Sequence, residues 1–219
     1  MIITIDGPSG TGKTTIARLL AEELHYRFFD TGAMYRAVTH KILQEKIELQ
    51  NSEKIEKLLD TFQFDIRTLE DKKGYFVDGE EVTEAIRSKE VTAYVSEVAA
   101  LPPVRTALVS IQREFGKGEN AIFEGRDLGT VVFPKAEIKI YLTARPAVRA
   151  ERRYEELKEQ GMPVSPDEVE KQLLERDHFD STRELSPLKQ AEDAHLIDTS
   201  DFTIEQVIDQ VLAITKKKT

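Results

Sequence analysis

A chain of 219 residues, 40% of them hydrophobic, is long enough to bury a sizeable core and reads as one domain with room for a small inserted lobe. Its formal charge of -9 argues against a general nucleic-acid binder, which needs clustered positive surface, and points to a small-molecule partner. The absence of cysteine excludes disulfides, thiolate metal ligands and cysteine nucleophiles, and no apolar stretch approaches a membrane span, so the expected location is the cytoplasm.

The chain opens on Met1-Ile2-Ile3-Thr4-Ile5, β-branched and apolar as a buried parallel strand requires, and too short for a secretory signal. Directly after Asp6 comes Gly7-Pro8-Ser9-Gly10-Thr11-Gly12-Lys13-Thr14-Thr15, which fits the G-x-x-x-x-G-K-[ST] template. Ile16, Leu19, Leu20 and Leu24 then recur at helical spacing, so the motif sits in its required strand–loop–helix setting. The chemistry needs glycine because backbone N–H groups must turn inward around phosphate oxygens. Residues 7–15 are therefore read as an ATP cradle. Lys13 is placed to reach the β- and γ-phosphates, Thr14 to offer its hydroxyl to Mg²⁺, and the helix N-terminus to add partial positive charge.

Further along, residues 27–30 read as a second strand and 33–43 as a helix, with Asp30 and Thr31 as plain capping residues. Ser52 is expected to cap a helix carrying Ile55, Leu58 and Leu59. The period then drops to 2: Phe62-Gln63-Phe64-Asp65-Ile66, a strand over 74–80 ending in a D-G turn, and an edge at Glu81-Val82 predict a small antiparallel sheet near 62–83. Ser88 caps a helix bearing Val91, Val95 and Val98, and Pro102-Pro103 precedes another carrying Val104, Leu108, Ile111 and Phe115. Strands follow at 121–124, 138–142 and 195–198, with helices from Pro146 and over 204–214. This alternation predicts an α/β fold whose parallel sheet has helices on both faces and its ligands at the carboxyl ends of the strands. Lys216-Lys217-Lys218 reads as a solvated helix end.

Other residues must separate the uses of a phosphate loop. No guanine-reading Asn-Lys-x-Asp box occurs. Arg145, Arg149, Arg152 and Arg153 fall at helical spacing and predict one basic face, softened by Glu151, Glu155 and Glu156 or turned toward phosphates. Spacings of four and seven place Arg176, Asp180 and Arg183 on another face. Asp30-Thr31-Gly32-Ala33-Met34-Tyr35-Arg36 and Glu124-Gly125-Arg126-Asp127 both lie just past strands, where a doubly wound fold keeps its site.

With residues 7–14, 30–36 and 124–134, Arg176-Asp177, Asp180 and Arg183, in that order, nearly the whole chain resembles bacterial cytidylate kinases. The resemblance implies a three-layer P-loop kinase fold with a small antiparallel β insert and a short helical lid. It divides the single domain into a core of about 1–30, 84–145 and 181–219, a monophosphate-binding region of about 31–83 and a lid of about 146–166. It implies that Arg36 and Arg126 hold the acceptor α-phosphate with Thr31 and Tyr35 lining that site. Ser96, Arg105 and Asp180 would read cytosine, while Arg176, Asp180 and Asp127 lie near the sugar and Arg183 near the phosphates. The lid carries Arg149 to Arg153 over ATP. Relatives carry Asp where Glu124 stands, so Glu124 is not assigned as a direct metal ligand.

The implied activity is an ATP- and Mg²⁺-dependent transferase of pyrimidine nucleotide metabolism, phosphorylating CMP or dCMP through Lys13, Arg126, Arg149, Arg153 and Arg183. No catalytic base is required, because a phosphate monoester with a second pKa of about 6 is already a competent nucleophile at neutral pH. A monomer is expected. The rival readings are a kinase for AMP, UMP or shikimate, and a nucleotide-binding ATPase module that transfers nothing.

Overall fold

A computed structural model describes residues 1–69, 72–159 and 161–216. The chain forms two compact units, Met1–Asp30 with Gly116–Thr219, and Thr31–Phe115. The first holds a five-stranded, all-parallel sheet of β1 (Ile2–Asp6), β2 (Arg27–Asp30), β6 (Ala121–Gly125), β7 (Ile138–Thr143) and β8 (His195–Asp198), ordered β2-β6-β1-β7-β8. Helices α1 (Lys13–Leu24), α6 (Pro146–Glu159), α7 (Pro166–Thr182) and α8 (Ile204–Lys216) surround it. Ile3 and Ile5 of β1, Ile122 of β6 and Ile140 and Leu142 of β7 form the sheet's dry interior with Ile16 and Leu20 of α1 and Val207 and Val211 of α8. β1 is hydrogen-bonded on both sides and buried from Ile3 to Asp6, so Thr4 and Asp6 are enclosed along with Ile3 and Ile5. All five strands run the same way, so the segments after Asp6, Asp30, Gly125, Thr143 and Asp198 emerge at one end of the sheet.

The second unit comprises α2 (Thr31–Gln44), α3 (Ser52–Thr61), the antiparallel strands β3 (Phe64–Leu69), β4 (Lys72–Val77) and β5 (Glu80–Glu81), a 3₁₀ turn at Ala85–Arg87, α4 (Lys89–Val98) and α5 (Pro102–Phe115). It has its own core, in which Met34, Val38, Ile55, Ile86, Val98, Val104 and Leu108 are buried. This unit takes in residues 84–115 along with 31–83.

Most predicted elements form, with corrections of physical interest. Asn51, not Ser52, caps α3, its side chain accepting from the Lys54 amide at 3.1 Å. The Ser88 cap is as expected, accepting from Val91. The predicted edge at Glu81-Val82 lies one residue earlier, at Glu80–Glu81. A π-helical turn at Leu128–Val132 was not predicted; nothing in its local sequence marks it. Arg183 lies just past α7 as its extended C-cap rather than on the helical face of Arg176 and Asp180. Lys217 and Lys218 of the terminal basic run lie outside the described residues, as do residue 160 of the lid and residues 70 and 71 of the β lobe. Among the described residues, no helix is long and apolar enough to cross a membrane.

Candidate active site

The loop from Gly7 to the start of α1 is shaped by close approach and by left-handed backbone. Gly7 has φ 148°, and a Cβ there would stand 2.1 Å from the Leu142 carbonyl oxygen of β7, so no other residue fits. Gly12, with φ 86°, makes the left-handed turn into α1. Lys13 is buried and donates to the Pro8 carbonyl at 2.7 Å, which Thr11 also reaches through its hydroxyl. The Thr14 hydroxyl donates to Glu124 Oε1 at 2.5 Å, joining the loop to the end of β6.

Charge is concentrated around these groups. Burial, and after it the neighbouring charge of Arg126, pull the Lys13 ammonium below its usual range; Arg176 adds to this and Glu124 opposes it. Glu124 is pushed up, first by burial and then by the like charge of Asp30, against the pull of Lys13 and the Thr14 hydrogen bond. Arg126, just past β6, and Arg176 of α7 therefore both act on the loop lysine.

Asp180 organises the arginines. Its carboxylate, 3% exposed as a residue, lies 3.3 Å from Arg126 Nε, 3.7 Å from Arg183 Nη1 and 3.9 Å from Arg176 Nε. Arg183 also donates to the Ser186 carbonyl at 2.7 Å and lies 3.9 Å from Asp127 Oδ1. One buried carboxylate thus offsets the mutual repulsion of three guanidinium groups and is hydrogen-bonded by Arg126.

The basic face predicted for α6 is divided instead among different partners. Arg145 precedes the helix and forms a two-pronged pair with Asp201 at 2.6 and 2.7 Å. Arg149, 5% exposed, donates to the carbonyls of Ala144 and Ser9 at 3.0 and 3.1 Å and pairs with Asp177 of α7. Arg152 holds Thr199 through its hydroxyl and its carbonyl, and Arg153 pairs with Glu156 at 2.7 Å. Of these four, Arg149 touches the phosphate loop directly. Its partner Asp177 belongs to the Arg176-Asp177 motif of the sequence, though no tie to Arg149 is expected there; Thr199 and Asp6 carry no assigned role in the sequence. An acidic residue directly before an anion nest is itself an incongruity that asks for N–H partners.

Within the second unit, Thr31 opens α2 and is buried, and the Arg105 guanidinium of α5 sits 5.1 Å from the centre of the Tyr35 ring. Arg36 donates to Thr92 Oγ1 at 2.8 Å and to the Ile86 carbonyl at 3.3 Å. Ser96 lies one turn beyond Thr92 on α4 and is half-buried.

The family profile of cytidylate kinase matches residues 3–217. The chain belongs to the cytidylate kinase family. Among curated members, the cytidylate kinase of Protochlamydia amoebophila is 53% identical over 216 residues, spanning 97% of this chain and 95% of the relative. That of Carboxydothermus hydrogenoformans is 44% identical over 218 residues, spanning 100% and 98%. In fold, the chain is similar to the shikimate kinase of Bacteroides thetaiotaomicron, with a TM-score of 0.50 at 14% identity over 99% of this chain and 98% of that one. For this member of the cytidylate kinase family, the P-loop kinase architecture expected from the sequence is thus present in the sheet order and in a solved neighbour.

Proposed function

We propose that the protein transfers the γ-phosphoryl group of ATP to CMP or dCMP, giving CDP or dCDP and ADP. The observation that carries this reading is the gathering of Arg126, Arg176 and Arg183 on the Asp180 carboxylate beside the phosphate loop, in a chain matched to the cytidylate kinase profile over nearly its whole length. Phosphoryl transfer is mostly positioning and charge neutralisation, and this chain supplies both. Residues 7–15 cradle ATP, with Lys13 on its outer phosphates. Arg126 and Arg183 draw the acceptor α-phosphate toward the transferring group, with Arg36 and Thr31 holding the same phosphate and Asp127 and Arg176 the sugar. Arg149 and Arg153 neutralise charge from the lid. The acceptor dianion is the nucleophile, so no side chain need remove a proton.

Base selection is assigned to Asp180, Ser96 and Arg105. A carboxylate or hydroxyl accepts from the cytosine 4-amino group, and arginine donates to ring acceptors. Uracil presents a carbonyl where cytosine has its amino group, leaving a buried acceptor unpaired at a cost of about 1 to 3 kcal/mol.

Mg²⁺ fits the residues present. Thr14 offers a hydroxyl oxygen beside the buried Glu124 carboxylate, which is pushed up by burial and by Asp30 and pulled down by Lys13 and Arg126, so hard oxygen donors stand together at the loop as such a cation requires. Among the described residues no set of three or more acidic or histidine side chains forms a cage, which suits an ion held by one or two protein oxygens together with nucleotide phosphates. Bound there, it would supply charge neutralisation for the phosphates.

A steady-state panel with ATP and Mg²⁺ against CMP, dCMP, UMP and AMP tests the function. CMP and dCMP should show the highest kcat/KM. Equal phosphorylation of AMP would overturn the base assignment, and ATP loss without transfer to any of the four would overturn the kinase reading itself.

A further inference from the structure

Asp6 ends the central strand β1, immediately before the ATP loop, and is almost wholly buried. Its carboxylate feels the charge of Lys13 in that loop, but both of its oxygens bond elsewhere. Oδ1 accepts from the Leu128 amide at 2.9 Å and Oδ2 from the Gly129 amide at 2.8 Å. These are the first two N–H groups of the π-helical turn that follows Arg126-Asp127, and the first amides of any helical turn lack a partner within it. Asp127 is the N-cap of that turn, yet its side chain makes no capping bond; it faces Arg183 instead. The capping work is done from another strand, by Asp6.

A second observation fixes the same turn to β1. A Cβ added at Gly129 would stand 3.3 Å from Thr4 Oγ1, 3.4 Å from Asp6 Oδ2 and 3.2 Å from Lys139 Cδ, so the turn rests directly on the strand and a methyl group there would crowd these neighbours apart. We propose that Asp6 is a positioning residue for the acceptor: although it adjoins the ATP loop in sequence, it anchors the segment bearing Arg126 and Asp127 and thereby sets how CMP is held. The inference rests on the role given above to Arg126. Its location is an expensive one for a carboxylate. Burial pushes Asp6 up to about 6 with Asp127 adding to the effect, and the two amide hydrogen bonds pull the other way. Such a group is kept charged at neutral pH by its donors.

The test uses steady-state kinetics at pH 7.5 on the Asp6→Asn, Gly129→Ala and Arg126→Ala enzymes, with amide hydrogen exchange on the first two. Asparagine keeps the shape but must turn an amide group toward one of the two N–H donors. Asp6→Asn should raise KM for CMP by roughly tenfold, as expected for loss of one charge-assisted hydrogen bond, and leave KM for ATP within about twofold. Exchange at Leu128 and Gly129 should accelerate. Gly129→Ala, which displaces the same turn without touching any charge, should give the same division between the two KM values, and it carries the test if Asp6→Asn fails to fold. A rise in KM for ATP with KM for CMP unchanged would overturn the proposal, because Asp6 would then serve its own loop. If Arg126→Ala abolishes CMP turnover while Asp6→Asn leaves KM for CMP unchanged, the Asp6 inference fails alone. If Arg126→Ala leaves turnover intact, the underlying role of Arg126 fails.

Discussion

At the scale of single residues, the Asp180 carboxylate faces three arginines at once. Replacing it with Asn keeps the volume but removes the charge on which three arginines rest, leaving them to repel one another. Asp180→Asn should lower kcat/KM for CMP by about 10² and narrow the preference for CMP over UMP, as expected when a buried charge partner is removed. An unchanged CMP/UMP ratio in competition assays would take base selection away from it. Arg126→Ala should lower kcat by about 10² to 10³, the loss typical of one transition-state charge contact, with the circular dichroism spectrum retained. Asp6 makes a prediction of opposite character. Its folded pKa is raised from 3.8 to about 6, so its contribution favours the fold fully below about pH 4 and is lost as pH rises through 6. Between pH 4 and 7.5 the native enzyme should lose up to roughly 3 kcal/mol relative to Asp6→Asn, which titrates nothing at that position. Thermal melts of both proteins across that range measure the difference, and parallel curves would contradict it.

At the scale of elements, the sequence spoke clearly where the signal is local. Strand–loop–helix at residues 2–24, the period-2 lobe and the Ser88 cap were all legible, because β-branching, glycine and capping chemistry act over a few residues. The destinations of the arginines were not legible. Spacing puts Arg145, Arg149, Arg152 and Arg153 near one another, and Arg153 meets the nearby Glu156 as the sequence allows, but Asp201, Asp177 and Thr199, up to 56 residues away, direct the other three. The π turn at Leu128–Val132 was hidden for the same reason, since its cap comes from β1. Helix α5 carries a different anomaly: Gln112 is 1% exposed and, among the described residues, neither of its amide atoms has a hydrogen-bond partner. Gln112→Met fills similar volume without polar atoms and should stabilise the protein by about 1 kcal/mol, relieving a buried unsatisfied amide. A lowered urea midpoint would show that the amide is serving the fold.

At the scale of the whole molecule, the parallel sheet carries the site at the ends of its strands. Glu124 and Arg126 depend on β6, whose Phe123 is fully buried and stacked 4.7 Å from Phe29 of β2, with Phe133 at 4.5 Å. Phe123→Ala should cost about 3 to 5 kcal/mol in urea unfolding, the usual cost of deleting a core aromatic ring, and depress activity with it. A loss under about 1 kcal/mol would mean that this aromatic layer contributes little to holding the sheet.

The chain leaves the first unit after Asp30 and returns at Gly116, so Tyr35, Arg36, Ser96 and Arg105 are encoded by one uninterrupted stretch. Exchanging that stretch between relatives would transplant these four side chains together while leaving the glycine nest, Glu124 and the Asp180 hub to their original parent. Under the roles proposed above, chimeras joined at those two boundaries would divide the choice of monophosphate between what travels with Tyr35, Arg36, Ser96 and Arg105 and what stays with Asp180.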